Sequence, residues 1–227
     1  NPAVDKMFAQ PFVDIDEWRD APVKHRYIHG GFTGTDMKFS FYMPPKEKFG
    51  GRFFQYVTPV PDNENLSQTV QAGDDNIVFA ISSGAYFVET NGGGTSATAG
   101  PAFMADPTIG AYRANAAAAR FSRKLAMDMY SSKRVYGYIY GGSGGGYRTM
   151  GSIENTIGVW DGAVPFVLGT PMASPNNFSI RMHAMRILKD KFPQINDAMD
   201  AGGSGNPYKG LNKEEAGALR EATRLGF

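Results

Sequence analysis

Hydrophobic and polar positions alternate between two rhythms along this chain, and the change of rhythm marks its elements. Residues 1–22 are mixed and read as a lead-in. Residues 25–29 and 38–43 (Lys-Phe-Ser-Phe-Tyr-Met) read as short strands, with the glycine-rich segment 30–36 as the turn between them. Pro44 and Pro45 end the second, and the aromatic run 51–58 forms the next, stopped by Pro59 because proline cannot donate to a ladder. After the loop that begins at Thr58 comes the apolar run 76–81. Residues 84–90 then read as another strand, ending in Asn91-Gly-Gly-Gly.

The period then lengthens. Asp106 as N-cap and Pro107 at the first helical position open the longest predicted helix, which runs through alanines 116–119 and Leu125 to about Tyr130. A β-branched and aromatic run, 134–140, follows directly, and after it a helix-compatible segment. Residues 160–171 read as one more strand and its exit loop. From Asn176 the character changes to helical stretches at 183–191 and 213–225, separated by a flexible loop at 201–207, with no convincing buried strand after Leu168. Strands followed by helices, the strands nearly continuous in apolar residues, predict an α/β domain with a largely parallel sheet over residues 1–175 and a helical segment over 176–227.

Composition narrows the function. The 227 residues are 42% apolar and 20% charged, enough for a sizeable core. The formal net charge is +1, and no Lys/Arg cluster interleaves with aromatics, which points away from nucleic acid and anionic membranes. No apolar run reaches the roughly 18 residues of a membrane span. With no cysteine there is no disulfide or thiolate metal site, and three histidines argue against a histidine-rich metal centre. No cofactor is implied. The start at Asn1, without a charged-then-apolar signal segment, suggests a processed chain or an artificial boundary. Processing would lean towards a secreted or periplasmic protein.

The chemistry concentrates at Gly141-Gly-Ser143-Gly-Gly145. This is G-x-S-x-G between a strand and a helix, the pattern of a nucleophile elbow that lifts a serine hydroxyl clear of the sheet. Side chains two residues before and after the serine would collide, and glycine stands at both places. Attack by Ser143 needs a base for its proton and donors for the oxyanion. The Gly144 N–H is one donor; Thr58 and Val60 offer the other, because Pro59 and Pro61 have no N–H, and a Val60 held between prolines is the favoured choice. The competing reading of Pro-Val-Pro is a simple strand terminator. A glycine linker is the competing reading of the elbow, but linkers are not preceded by Tyr136-Gly-Tyr-Ile-Tyr. Gly202-Gly-Ser204-Gly-Asn206 lacks both a preceding strand and the last glycine. Residues 141–146 fit neither phosphate-loop pattern, while 92–97 fit G-x-G-x-x-A only until Gly100-Pro101 interrupts the following helix.

Base and acid are harder to place. In hydrolases with this elbow the order along the chain is serine, acid, histidine. Only His183 follows Ser143, on a predicted helix and too early; His25 and His29 precede the core, Asp161 reads as a turn residue, and Asp197 and Asp200 have no strand to place them.

Residues 51–171 resemble the α/β-hydrolases, and within them the tannase and feruloyl esterase group. The likeness rests on Gly51-Arg-Phe-Phe-Gln, Thr90-Asn-Gly-Gly, Asp106-Pro-Thr-Ile-Gly-Ala-Tyr-Arg, the elbow and Trp160-Asp-Gly-Ala-Val-Pro. It implies a serine esterase forming an acyl-enzyme on Ser143, acting on esters of aromatic or hydroxylated acids, small or polymeric. A lid would be inserted where residues from Asn176 fall. Such enzymes often carry a cysteine pair tying the acid and histidine loops, absent here, and their last two strands with acid and histidine have no counterpart before Phe227. The expectation is a front portion of a hydrolase whose remainder lies on a second polypeptide, as cleavage inside the lid would produce. An amidase, a peptidase, a polyester depolymerase, or a binding protein that has lost its triad remain alternatives.

Overall fold

The computed structural model describes residues 5–69, 75–94, 106–168 and 173–224. The chain divides into two compact units, Asn1–Leu168 and Gly169–Phe227.

The first unit is built on a seven-stranded sheet in the order β1-β2-β3-β5-β4-β6-β7. Its strands are β1 (Pro11–Arg19), β2 (His25–Phe32), β3 (Lys38–Met43), β4 (Arg52–Tyr56), β5 (Ala85–Thr90), β6 (Tyr136–Gly142) and β7 (Gly162–Phe166). The pairings β1/β2, β2/β3 and β3/β5 are antiparallel; β5/β4, β4/β6 and β6/β7 are parallel. The parallel half is where the helical crossovers lie, as the period change predicted.

Two elements differ from the sequence reading. The mixed N-terminal lead-in holds a nine-residue strand, β1, which is exposed along most of its length. An edge strand without a buried face shows no hydrophobic alternation, so its pattern carries no strand signal. The apolar run after the first loop is a helix, α1 (Asn76–Ser82), whose cap Asp75 accepts from the N–H groups of Ile77 and Val78. It buries Ile77, Ala80 and Ile81 against Tyr27, Tyr42 and Phe87 on one sheet face.

The other face packs against α2 (Ala114–Tyr130). As expected, Asp106 caps the start, accepting from Thr108 N–H at 2.9 Å, but the first turns pass through a π-helical segment, Ile109–Arg113. Alanines 114 and 116–119 let this helix approach the aromatic layer of Phe39, Phe41, Phe53 and Tyr86. Phe39 and Phe41 stack with ring centres 4.4 Å apart. β5 is buried at all six positions, as a strand covered on both faces must be. Two core side chains cross between elements: Trp160 Nε1 donates to Gln55 Oε1 at 3.0 Å, and Tyr130 OH donates to the Pro44 carbonyl at 2.6 Å.

Chain order reverses around β4, which has its successor β5 on one side and β6 on the other. In α/β sheets, ligands bind outside the carboxyl ends of strands at such a switch point. Here the carboxyl ends of β4 and β6 carry the loop from Thr58 and the turn at Ser143.

The second unit is helical among its described residues: α4 (Ala173–Ile187), α5 (Phe192–Met199) and α6 (Lys213–Arg224). Ala184, Leu188, Ile195, Ala218 and Ala222 form its small core. Asn212 and Glu215 exchange backbone-to-side-chain bonds of 2.8 and 2.9 Å at the start of α6, a reciprocal cap. No helix among the described residues is long and apolar enough to cross a membrane.

Candidate active site

β6 ends at Gly142 and α3 (Gly144–Glu154) begins two residues later, leaving Ser143 alone in the joint. Its backbone lies at φ 55°, ψ −121°, where a side chain is strained. The strain is held by packing. The Ser143 N–H donates to the Phe166 carbonyl of β7 at 3.1 Å, and its own carbonyl accepts from Tyr147 at 3.3 Å. The side chain is exposed, and its Oγ has no hydrogen-bond partner among the described residues.

Glycine is required on every side of this joint. A Cβ on Gly141 would lie 2.6 Å from the Val57 carbonyl oxygen and 2.7 Å from the carbonyl atoms of Gly145. A Cβ on Gly145 would run into the same Val57 oxygen, and one on Gly144 into the Pro59 carbonyl. These contacts seat the loop after β4 directly against the elbow. Thr58 and Val60 therefore stand beside Gly144, and none of the N–H groups of Thr58, Val60 and Gly144 has an acceptor among the described residues. The carbonyls of Val57 and Pro59 are what touch the glycines. Thr58 is buried and Val60 exposed; Thr58 Oγ1 donates to the Val60 carbonyl at 2.5 Å.

The remainder of this loop is pinned across the sheet. Asn65 Oδ1 accepts from Tyr27, Ser40 and Gln68 at 2.5, 2.8 and 2.7 Å. Buried Glu89, at the end of β5, accepts from Tyr42 OH at 2.6 Å and from Ser67 N–H at 3.1 Å. Burial pushes the Glu89 carboxyl up to about 7, although both hydrogen bonds favour its charged form.

Two residues absent from the sequence reading shape the site: Glu89 and Arg148. Arg148 lies four residues after Gly144 and three after Gly145 on α3, so it shares their sheet-facing side. That spacing was the available signal. Its Nε donates to the Gly110 carbonyl at 2.7 Å, and its Nη1 to the Thr58 carbonyl at 2.8 Å and to Thr58 Oγ1 at 3.2 Å.

Neither histidine of the first unit meets Ser143. His25 and His29 are on β2, four strand spacings from β6, about 19 Å at roughly 4.8 Å each. His25 is buried with Nδ1 on the Val23 carbonyl at 2.6 Å, and burial pushes its pKa down. His29 is held between Asp14 at 2.5 Å and Glu64 at 3.2 Å. His183 is exposed on α4 of the second unit.

Asp161 is more than a turn residue. It accepts from Gly137 N–H, Arg134 and Arg123 at 2.8, 2.8 and 3.3 Å. Burial would raise its pKa, but the Gly137 and Arg134 bonds overcome that and lower it. Gly137 precedes Ser143 by six residues of strand, about 20 Å, so Asp161 braces the far end of the sheet. Asp197 lies on α5, and Asp200 follows that helix. The near-match Ser204 sits in an exposed turn and accepts from Asn206 N–H at 3.3 Å. Gly92 and Gly93 bond back to Thr90 and Asn91 side chains, and residues 95–97 of the dinucleotide pattern lie outside the described residues. No cluster of three metal-ligating side chains occurs among the described residues.

A mixed sheet with β5 and β6 flanking β4, and a strained serine between β6 and α3, define an α/β-hydrolase fold. Within that fold, the chain resembles the tannase and feruloyl esterase group. It matches an esterase from Aspergillus oryzae with a TM-score of 0.59 at 14% identity, over 94% of this chain and 53% of that one. Feruloyl esterase B from Aspergillus oryzae matches at 0.58 and 15%, over 91% and 45%, and tannin acyl hydrolase from Aspergillus niger at 0.53 and 17%, over 83% and 38%. The chain thus spans between about two-fifths and about half of these structures. No protein-family model and no curated protein matches the sequence.

Proposed function

We propose that this chain carries the nucleophile of a serine hydrolase that cleaves a carboxylic ester through an acyl-enzyme on Ser143. The observation that carries the reading is the exposed Ser143 at φ 55°, ψ −121°, seated between glycines that admit no side chain. A strained, exposed serine at the carboxyl edge of a parallel sheet fits a nucleophile and has no evident structural use.

In this mechanism Ser143 Oγ attacks the ester carbonyl while a base takes its proton. The Gly144 N–H, with that of Val60 or Thr58, stabilises the oxyanion; collapse releases the alcohol, and water then hydrolyses the acyl-enzyme. Neither His25 nor His29 of the first unit reaches Ser143, so the base and acid are assigned to a part of the hydrolase fold outside this core, on this or on a second polypeptide. The helical residues from Asn176 are assigned as part of a lid. The half-exposed Phe166, whose ring lies over Gly142, favours an ester with an aromatic acyl group.

The absence of a base in the described core also favours a second reading, a binding protein on a hydrolase scaffold without a working triad. Fluorophosphonate labelling separates the two. The hydrolase reading expects stoichiometric labelling of the native protein, none of S143A, and copurification of a chain bearing an aspartate and a histidine. It also expects H183A to retain activity. No labelling of the native protein would leave the binding reading. Among hydrolases, turnover of aryl esters but not of matched amides supports the esterase over an amidase or peptidase.

A further inference from the structure

Arg148 is an unusual residue for its place. It is only 9% exposed, yet no carboxylate among the described residues pairs with it, and its Nη2 has no hydrogen-bond partner. Burial lowers its guanidinium to about 10, so it is still a cation at neutral pH. Burying an unpaired cation is costly, and Arg148 is retained one turn into the helix that follows Ser143.

Its contacts show what that position accomplishes. Nε holds the Gly110 carbonyl at the start of the long helix, while Nη1 holds both the carbonyl and the hydroxyl of Thr58. The same Thr58 hydroxyl donates to the Val60 carbonyl, which extends the link by one more residue. Nη2 lies against Gly92, where a Cβ would displace it. One planar side chain therefore ties α3, which begins with the Gly144 N–H, to the segment that carries the Thr58 and Val60 N–H groups.

We propose that Arg148 is the positioning residue of the oxyanion hole, fixing the Thr58–Val60 segment at its distance from Gly144. The inference rests on the serine-hydrolase reading of Ser143. An oxyanion needs its donors within a few tenths of an ångström, and the loop's contacts with the elbow are otherwise carbonyl-to-glycine packing, which sets no N–H direction. The fork geometry of arginine, gripping two points at once, is what lysine cannot reproduce.

The test compares native protein, S143A, R148K and R148M, each purified with whatever chain accompanies it. Hydrolysis of 4-nitrophenyl acetate and the rate of fluorophosphonate labelling are the readouts. R148M is expected to lose about 100-fold in kcat with KM changed less than about twofold, and R148K about 10-fold. Labelling rates should fall in parallel, and hydrogen exchange should quicken in residues 57–68. A purely structural arginine would leave kcat of the folded variants unchanged. If R148M does not fold, R148K decides. Native-like kcat in R148K, or a loss confined to KM, overturns the proposal. A native protein that labels no better than S143A instead overturns the serine-hydrolase reading on which it stands.

Discussion

A Cβ placed on Gly141 would stand 2.7 Å from the carbonyl carbon and oxygen of Gly145, so the backbone two residues after the serine excludes a side chain two residues before it. The Val57 carbonyl closes the same space from β4. Gly145→Ala should therefore push the loop after β4 away from the elbow. Expected are a loss of about 1–3 kcal/mol in urea denaturation and at least about a 100-fold drop in fluorophosphonate labelling rate. Gly217 on α6 has nothing within 4 Å of its would-be Cβ, and Gly217→Ala should instead stabilise its helix by up to about 1 kcal/mol.

Ser143 holds its conformation at a cost, and that cost is measurable. Glycine adopts φ 55° freely, whereas alanine does not. Ser143→Gly is expected to be more stable than Ser143→Ala by about 1 kcal/mol, with both unreactive towards the fluorophosphonate. Equal stabilities in urea would show that the joint is unstrained.

Glu89 predicts a pH dependence. Its folded value of about 7 stands above the ordinary 4.5, so between these the folded protein keeps a proton that the unfolded chain has released. Stability must then fall as pH rises through that window, by about 3 kcal/mol for the full gap at roughly 1.4 kcal/mol per unit. Glu89→Gln lacks the titration. Its stability relative to the native protein should rise from pH 5 to pH 8, measured in urea; a difference that stays flat would place the carboxyl near its ordinary value.

Gln55 joins β4 to two other elements, accepting from Trp160 and donating to the carbonyl and side-chain oxygens of Asn115. Gln55→Leu keeps the volume but strands a buried indole N–H. A loss of about 1–3 kcal/mol is expected in chemical denaturation, with Trp160→Phe in the same background recovering part of it.

Period and punctuation alone located the buried strands, the cap at Asp106, the long alanine-rich helix and the G-x-S-x-G joint, because each is a local choice that neighbouring residues dictate. Exposed β1 carries no such pattern, since an edge strand has no buried face to impose alternation. The short apolar run at α1 is ambiguous by period, because seven residues do not separate a helix from a buried strand, and its cap at Asp75 is the deciding signal.

Contacts between distant residues were decided only in three dimensions. That Pro59 packs on Gly144, that Arg148 grips Thr58 ninety positions away, and that Asp161 braces Gly137 rather than facing Ser143 depend on strand order and register. No local pattern encodes these, because the order β5-β4-β6 brings the ends of separate crossovers together only when the sheet closes on its core. The sequence determined that a serine would be lifted clear of a sheet; the tertiary structure decided which groups surround it.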